Sequence, residues 1–386
     1  YNANRRAVAR RAYGGELEVI AADQLVSRLM AQCALQRGLW SVYWELFSLH
    51  QDNSLFVREL DGEFATEIGQ ARLACPNAVV IGVIPSKARN PILNPPSDMR
   101  IKTGDALIFI AKHFDDCKVE EVAVATPLAK MPSWHPVASE IRTVLILGWS
   151  RMVPKVLAEM LSYQRKGLKI DVVGITPINE REVSIDSVAS AQRNEKIRQL
   201  EINFMDPDEV TQIHPENYDA VLMIARERLE DEAIADAATI SAYLTIDATV
   251  AGAQGPHIVA ELLEEENETR LDGNRVDAIV SPMIVSYILS QVALKPELGL
   301  IFEELPRSWG TTILFRSIDP GTENAECRFS ELAAQAAARG ETAIGVVTSS
   351  ADGRQTLLNP GADARWAYPD VEQIIVLGAV SKPAAV

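Results

Sequence analysis

Two stretches of the chain carry the same pattern of apolar and polar positions. Residues 26–46 read VSRLMAQCALQRGLWSVYWEL and residues 285–305 read VSYILSQVALKPELGLIFEEL, at a constant offset of 259, with eight of 21 positions identical. Most other pairs exchange like for like, as Leu29 with Ile288, Val42 with Ile301, and Tyr43 with Phe302. Apolar residues recur at i, i+3 and i+4 in both stretches. That predicts two short helices per copy, separated at Arg37-Gly38 in one and at Lys295-Pro296 in the other. The likeness continues downstream. Leu55-Phe56-Val57-Arg58 parallels Ile313-Leu314-Phe315-Arg316, Ile81-Gly82-Val83 parallels Ile344-Gly345-Val346, and Leu93-Asn94-Pro95 parallels Leu358-Asn359-Pro360. Each copy closes on a hydrophobic strand, Leu107–Ile110 or Ile374–Leu377. The pattern predicts one module, a helical hairpin leading into a small α+β lobe, used twice.

The chain between the copies alternates differently. Thr143–Leu147, Ile170–Ile175, Leu200–Phe204 and Ala220–Ile224 predict strands, and Val153–Tyr163 and Asp231–Tyr243 predict helices. This alternation predicts an α/β fold: a Rossmann-like, doubly wound parallel sheet, joined by helical crossovers to small α+β C-lobes. The expected divisions are the end of an earlier Rossmann lobe (1–20), a first crossover (21–53), a first C-lobe (54–126) and a proline-containing linker (127–140). A Rossmann lobe (141–280), a second crossover (281–310), a second C-lobe (311–380) and a tail (381–386) follow. Only about 20 residues precede the first copy, and the chain begins at Tyr1 rather than Met. This reading expects a first Rossmann lobe upstream of Tyr1.

Composition narrows the function classes. Hydrophobic residues make up 47% and charged residues 23%, the balance of a folded globular chain. Acidic residues outnumber basic ones, 53 to 37, for a net charge of −16, which repels phosphate backbones and anionic lipid. No nucleic-acid partner is expected, and Arg5, Arg6, Arg10 and Arg11 read as a solvated helix face. No run approaches the ~18–20 apolar residues of a membrane span, so direct insertion of this chain is not expected. Cys33, Cys75, Cys117 and Cys327 form no CxxC pair and read as reduced cytosolic thiols.

A Rossmann lobe, a helical crossover and a C-lobe with the turn pattern of Ile92-Leu-Asn-Pro95 and Gly104-Asp105 resemble a regulator-of-K+-conductance (RCK) domain. Leu145-Ile-Leu-Gly-Trp149 resembles the strand opening of the CASTOR/POLLUX ion channels. Tyr218-Asp-Ala-Val-Leu-Met-Ile-Ala225 followed by Leu229-Glu-Asp-Glu232 is similar to another segment of that family. The resemblance implies two tandem RCK domains on the cytoplasmic face of a membrane, in a subunit whose pore lies elsewhere. It further implies four such subunits in a homotetrameric gating ring that transmits ligand-induced lobe motion to a K+- or Ca2+-conducting pore. Two other classes stay open: an NAD(P)-binding oxidoreductase, and a soluble RCK regulatory subunit of a K+ transporter.

Candidate chemistry is sparse. A dinucleotide-binding turn needs three glycines, G-x-G-x-x-G, and an acid closing the second strand. Only Gly148 is present, and Ile175-Thr176-Pro177 stands where the acid belongs, which disfavours NAD or another nucleotide. Gly148, Trp149, Ser150 and Arg151 could instead hold an anion at a helix N-terminus, or form a purely structural turn. Asp206, Asp208, Glu230 and Asp231 follow two strands of the sheet and are the candidate ligands of a Ca2+ ion; Asp208-Glu209 equally suits an acidic helix start. Glu261, Glu264, Glu265, Glu266 and Glu268 read as a solvated helix end. No HExxH or G-x-S-x-G pattern exists, no catalytic set emerges, and His113 beside Asp115-Asp116 reads as a surface turn. Trp40, Tyr43, Trp44 and Phe47 in one crossover, with Ile301, Phe302 and Leu305 in the other, are too apolar for exposed helices. They are the expected surface of self-association through the crossovers, which Trp44→Glu is expected to break.

Overall fold

The structure is a computed structural model that describes residues 13, 18–48, 53–61, 65–88, 90–120, 134–137, 141–163, 167–189, 196–225, 231–250, 255–271, 276–318, 326–350, 353–367 and 370–380. Most of 1–20, the four N-terminal arginines, Glu230 and the tail 381–386 lie outside the described residues.

The first module runs α1 (Ala22–Leu35), α2 (Leu39–Phe47), β1 (Ser54–Glu59), β2 (Ala65–Glu67), α3 (Ile68–Leu73), β3 (Ala78–Ile84), β4 (Ile92–Leu93), β5 (Arg100–Lys102) and β6 (Ala106–Ala111). A short strand, β7 (Trp134–Pro136), precedes the α/β lobe. That lobe comprises β8 (Thr143–Leu147), α4 (Val153–Ser162), β9 (Lys169–Gly174), α5 (Ile178–Ala189), β10 (Ile197–Glu201) and α6 (Pro207–Gln212). It continues through β11 (Ala220–Met223), α7 (Glu232–Thr249), β12 (His257–Leu262) and β13 (Val276–Val280). The second module follows as α8 (Ser281–Leu294), α9 (Leu298–Glu304), β14 (Gly310–Ile318), β15 (Glu326–Arg328), α10 (Phe329–Ala338), β16 (Thr342–Ser350), β17 (Gly353–Leu358), β18 (Arg365–Ala367) and β19 (Val371–Val380). Element for element, the second module repeats the first.

The α/β lobe is a six-stranded sheet, β10-β9-β8-β11-β12-β13, parallel at every pairing. Counting from β8, this is the 3-2-1-4-5-6 order of a doubly wound sheet. Its central strands are continuous apolar runs: Val144–Leu147 and Ala220–Met223 are buried, as strands covered on both faces must be. Three readings need correction. The third strand is Ile197–Glu201 rather than Leu200–Phe204; Phe204 is buried in the turn before α6. Trp134–Pro136, read as linker, pairs with β14 as an edge strand, a position that tolerates proline. Glu261 sits in β12, not on a solvated helix end. Its buried carboxylate accepts hydrogen bonds from Ala225 N (3.0 Å) and Ser281 Oγ (2.6 Å).

Each C-lobe is built on an antiparallel sheet, β1-β6-β3-β4 in the first and β17-β16-β19-β14, extended by β7, in the second. Both sheets carry a bulge at the same place in the repeat, at Val80/Gly82 and at Ala343/Gly345. A Cβ on Gly82 would lie 2.6 Å from Ile92 O, and one on Gly345 would lie 2.3 Å from Leu357 O. The neighbouring strand crosses too closely for any side chain, which is why both copies keep glycine there.

The chain divides into two compact units. One contains the α/β lobe and α1, and the other contains α2, α9 and both C-lobes. Within the first, α1 packs on α4 and over β11 and β12. Lys155 Nζ lies 3.2 Å from Asp23 Oδ2, and His257 Nε2 lies 3.1 Å from Cys33 O.

All four cysteines are free and buried. Burial pushes the thiols of Cys75 and Cys117 up to about 12, and that of Cys327 up to about 11, from an ordinary 9.0. As pH rises past 9 the unfolded chain gives up these protons before the folded chain does. Each thiol then removes up to roughly 1.4 kcal/mol of stability per pH unit. Urea midpoints should therefore fall steeply above pH ~9, and less steeply in a Cys75→Ala/Cys117→Ala variant. Equal slopes for the two proteins would contradict this account.

Candidate functional site

Two regions concentrate the residues that the sequence singles out. The first is the carboxyl edge of the parallel sheet. Gly148 follows β8 with φ +99°, and a Cβ there would lie 2.3 Å from Ile224 O. Gly148 N donates to Val173 O (2.9 Å), so the turn is wedged between β9 and the end of β11. Ser150 is buried and its Oγ accepts from Met152 N (3.2 Å), while Arg151 is exposed and lies 3.8 Å from Asp23. Trp149 stacks over the guanidinium of Arg181, at 5.8 Å from the ring centroid. Arg181 is fully buried and donates to Val172 O (3.2 Å) and Leu200 O (3.0 Å).

These residues do not fit a dinucleotide in its usual pose. Ser150 and the buried Val153 occupy the second and third glycine positions, where the backbone should meet a pyrophosphate. Beyond β9, where a ribose would need a carboxylate, stands the exposed Ile175.

The acidic candidates form helix caps. Asp206 caps α6 by accepting from Asp208 N (2.9 Å), and Asp231 caps α7 by accepting from Ala233 N (3.0 Å). Among the described residues no group of three or more His, Cys, Asp or Glu side chains could hold a metal ion. Glu230, the fourth candidate ligand, lies outside the described residues.

The second region is the C-lobe unit. Here α2 and α9, the short helices of the two crossovers, meet. Tyr43, Phe47, Ile301, Phe302 and Leu305 are all buried. Phe47 stands edge-on to Phe302, with centroids 5.2 Å apart and an interplanar angle of 88°, and Tyr43 packs on Phe47 at 5.3 Å. Tyr43 Oη donates to Leu305 O (3.3 Å), and Gln291 Nε2 donates to Phe47 O (2.7 Å). These aromatic residues thus pair within one chain, so particle mass is no readout of that contact. Trp44 is half-buried, and Trp40, also buried, belongs to the other unit.

A reciprocal clasp completes the pairing. Asn94 and Asn359, the equivalent residues of the two Leu-Asn-Pro turns, both adopt left-handed backbone, with φ 46° and 43°. Each donates its backbone N–H to its own bulged strand, Asn94 N to Ile81 O (2.8 Å) and Asn359 N to Ile344 O (2.9 Å). Each then reaches across to the other C-lobe. Asn94 Nδ2 donates to Gly340 O (2.9 Å), and Asn359 Nδ2 donates to Asn77 O (3.0 Å). Thr342 Oγ1 donates to Asn94 Oδ1 (2.7 Å), and Asn359 Nδ2 also reaches Asn53 Oδ1 (3.1 Å). Sequence reasoning quoted the two turns as markers of the repeat and missed their role as clasps. The signal was there: asparagine is a residue that tolerates left-handed backbone and also carries an amide donor.

Comparison with known proteins bears on this arrangement directly. A family model described as "Castor and Pollux, part of voltage-gated ion channel" matches residues 23–126, from α1 past the end of β6. Over 403 residues the chain is 24% identical to the probable ion channel POLLUX of Oryza sativa subsp. japonica, covering 94% of this chain and 41% of that protein. It is 24% identical to the ion channel CASTOR of Lotus japonicus, covering 94% of this chain and 46% of that protein. The chain is related to the CASTOR and POLLUX ion channels. It spans less than half the length of these two relatives. The fold matches that of the human SLO3 gating ring, with a TM-score of 0.68 at 14% identity, over 97% of this chain and 79% of that one. The α/β lobe, the crossovers and the paired C-lobes thus share the fold of that gating ring.

Within this CASTOR/POLLUX relative the capping role of Asp206 has a measurable consequence. Asp206→Ala should cost about 1 kcal/mol of stability through loss of the cap. The loss should be the same with and without about 5 mM Ca2+ in a thermal melt. A Ca2+-dependent rise in the wild-type midpoint that Asp206→Ala removes would restore the metal reading.

Proposed function

We propose that this chain is the ligand-sensing, gating part of a cation channel, on the cytoplasmic face of a membrane, transmitting lobe motion to a pore carried by the rest of the intact protein. The observation that carries the reading is the duplicated module, with the short helices of the two crossovers, α2 and α9, and both C-lobes in one unit. Such a unit gives two lever arms a common pivot. A ligand that binds one arrangement of the levers more tightly shifts the population toward it, by no more than its differential affinity. The reading is non-enzymatic. Permeation by K+ or Ca2+, and assembly of four subunits into a ring, are part of the proposal. Ca2+ is the first ion to test as the ring's ligand, at residues other than the two helix caps.

The repeat also supports a further lobe in the intact assembly. In α1, Met30 is 0% and Leu35 is 1% exposed. Their equivalents in α8, Leu289 and Leu294, are 50% and 83% exposed. A second parallel-sheet lobe seated on α8, as the first lobe is seated on α1, would cover them.

The test uses the intact gene product in planar bilayers and nanodiscs. Cation current and a particle mass of four subunits are expected. Leu289→Glu should leave the melting of this chain unchanged while impairing assembly of the intact protein. Absence of current with either K+ or Ca2+ as charge carrier, or a monomeric particle, would overturn the reading.

A further inference from the structure

We infer that the paired C-lobes bind a small organic carboxylate with an apolar body, seated between α3 and α10 with its charged end at Arg72. A cavity of about 410 Å³ lies between the two lobes, within the ~300–1,000 Å³ range of small-molecule sites. One wall is formed by Leu73 and Val79 of the first lobe. The facing wall is the alanine face of α10, with Ala333, Ala334 and Ala337. Leu73, at its rim, is 49% exposed.

The charges around this apolar space do not balance. Arg72 donates Nε to Val80 O (3.3 Å) and Nη2 to Pro95 O (3.2 Å), both neutral carbonyls. No carboxylate pairs with it among the described residues. Burial alone lowers its guanidinium to about 10, with no acidic neighbour to offset the loss of hydration. The other charged group at the cavity, Glu341, is neutralised by Arg316, which binds it through two nitrogens, Nε lying 3.0 Å from Oε1 and 3.3 Å from Oε2. An apolar cavity with one uncompensated guanidinium on its wall is complementary to an apolar molecule with one carboxylate. Because α3 and α10 belong to different C-lobes, such a ligand would bridge them, adding to the asparagine clasp. The site stands on the C-lobe unit alone and does not depend on the channel reading.

The probes are 4-phenylbutyrate and its uncharged counterpart 4-phenylbutan-1-ol, titrated into this chain by ligand-observed NMR. The carboxylate should bind more tightly than the alcohol. Arg72→Gln should weaken the carboxylate by about tenfold or more, as expected for loss of a charged hydrogen bond, and leave the alcohol almost unmoved. Ala337→Trp, which fills the cavity from the other lobe, should abolish binding of both while the protein remains folded. It decides the matter if Arg72→Gln fails to fold, because Arg72 also tethers two carbonyls. Absence of 4-phenylbutyrate binding up to about 10 mM would overturn the proposal, since a ligand of that size in a fitted cavity should bind in or below the millimolar range. So would binding that survives Ala337→Trp, or that a folded Arg72→Gln leaves unchanged.

Discussion

Replacing Phe47 with alanine is expected to lower the unfolding free energy of the C-lobe unit by about 3–5 kcal/mol. The side chain is 0% exposed and lies between Tyr43 and Phe302, so its removal leaves a cavity where the two crossovers meet. Part of the loss belongs to the edge-on pair itself. A double-mutant cycle with Phe302→Ala should therefore give a coupling of about 0.5–1.5 kcal/mol. Urea unfolding of the two single variants and the double variant measures both quantities. Additive effects, or a single-variant loss below about 1 kcal/mol, would show that the crossovers are not held by this contact.

Gly148→Ala should be comparably severe, at about 3 kcal/mol or more, in the other unit. Two costs combine. The residue holds φ +99°, and its new Cβ would lie 2.3 Å from Ile224 O, a backbone atom that cannot turn aside. Gly167→Ala is the control, since that glycine has φ +76° but nothing within 4 Å of a Cβ. It should cost only about 1 kcal/mol, the price of left-handed backbone by itself. Equal losses at the two positions would mean that β8 and β11 separate easily, and that the turn after β8 is not rigid.

The duplicated fold was legible because identity between the copies survives at the helix faces and in the Leu-Asn-Pro turns. The parallel sheet was legible at its centre, where β8 and β11 are uninterrupted apolar runs. Its periphery was not. β10 is an edge strand that reads Ile-Arg-Gln-Leu-Glu and is only half covered, so its hydrophobic density falls below that of the turn holding Phe204. β12 and β13 are separated by a glutamate-rich stretch, residues 264–268, that reads as solvated. In the fold, the fully buried Asp236 organises this stretch, accepting from Leu263 N (2.9 Å), Glu264 N (3.0 Å) and Asn267 Nδ2 (2.9 Å). The acidic candidates illustrate a different limit. An aspartate before a helix suits a cap as well as a metal, and only the distances to Asp208 N and Ala233 N distinguish the two. The asparagine clasp could not be read from either turn alone, because each side chain is satisfied by the opposite copy.

Single-channel recording of the intact gene product carrying Asn94→Ala and Asn359→Ala tests the central claim most directly. These residues join the two C-lobes at equivalent points, so the account expects a changed open probability with unitary conductance and ion selectivity unaltered. An unchanged open probability, or a change confined to conductance or selectivity, would contradict a gating role for this chain.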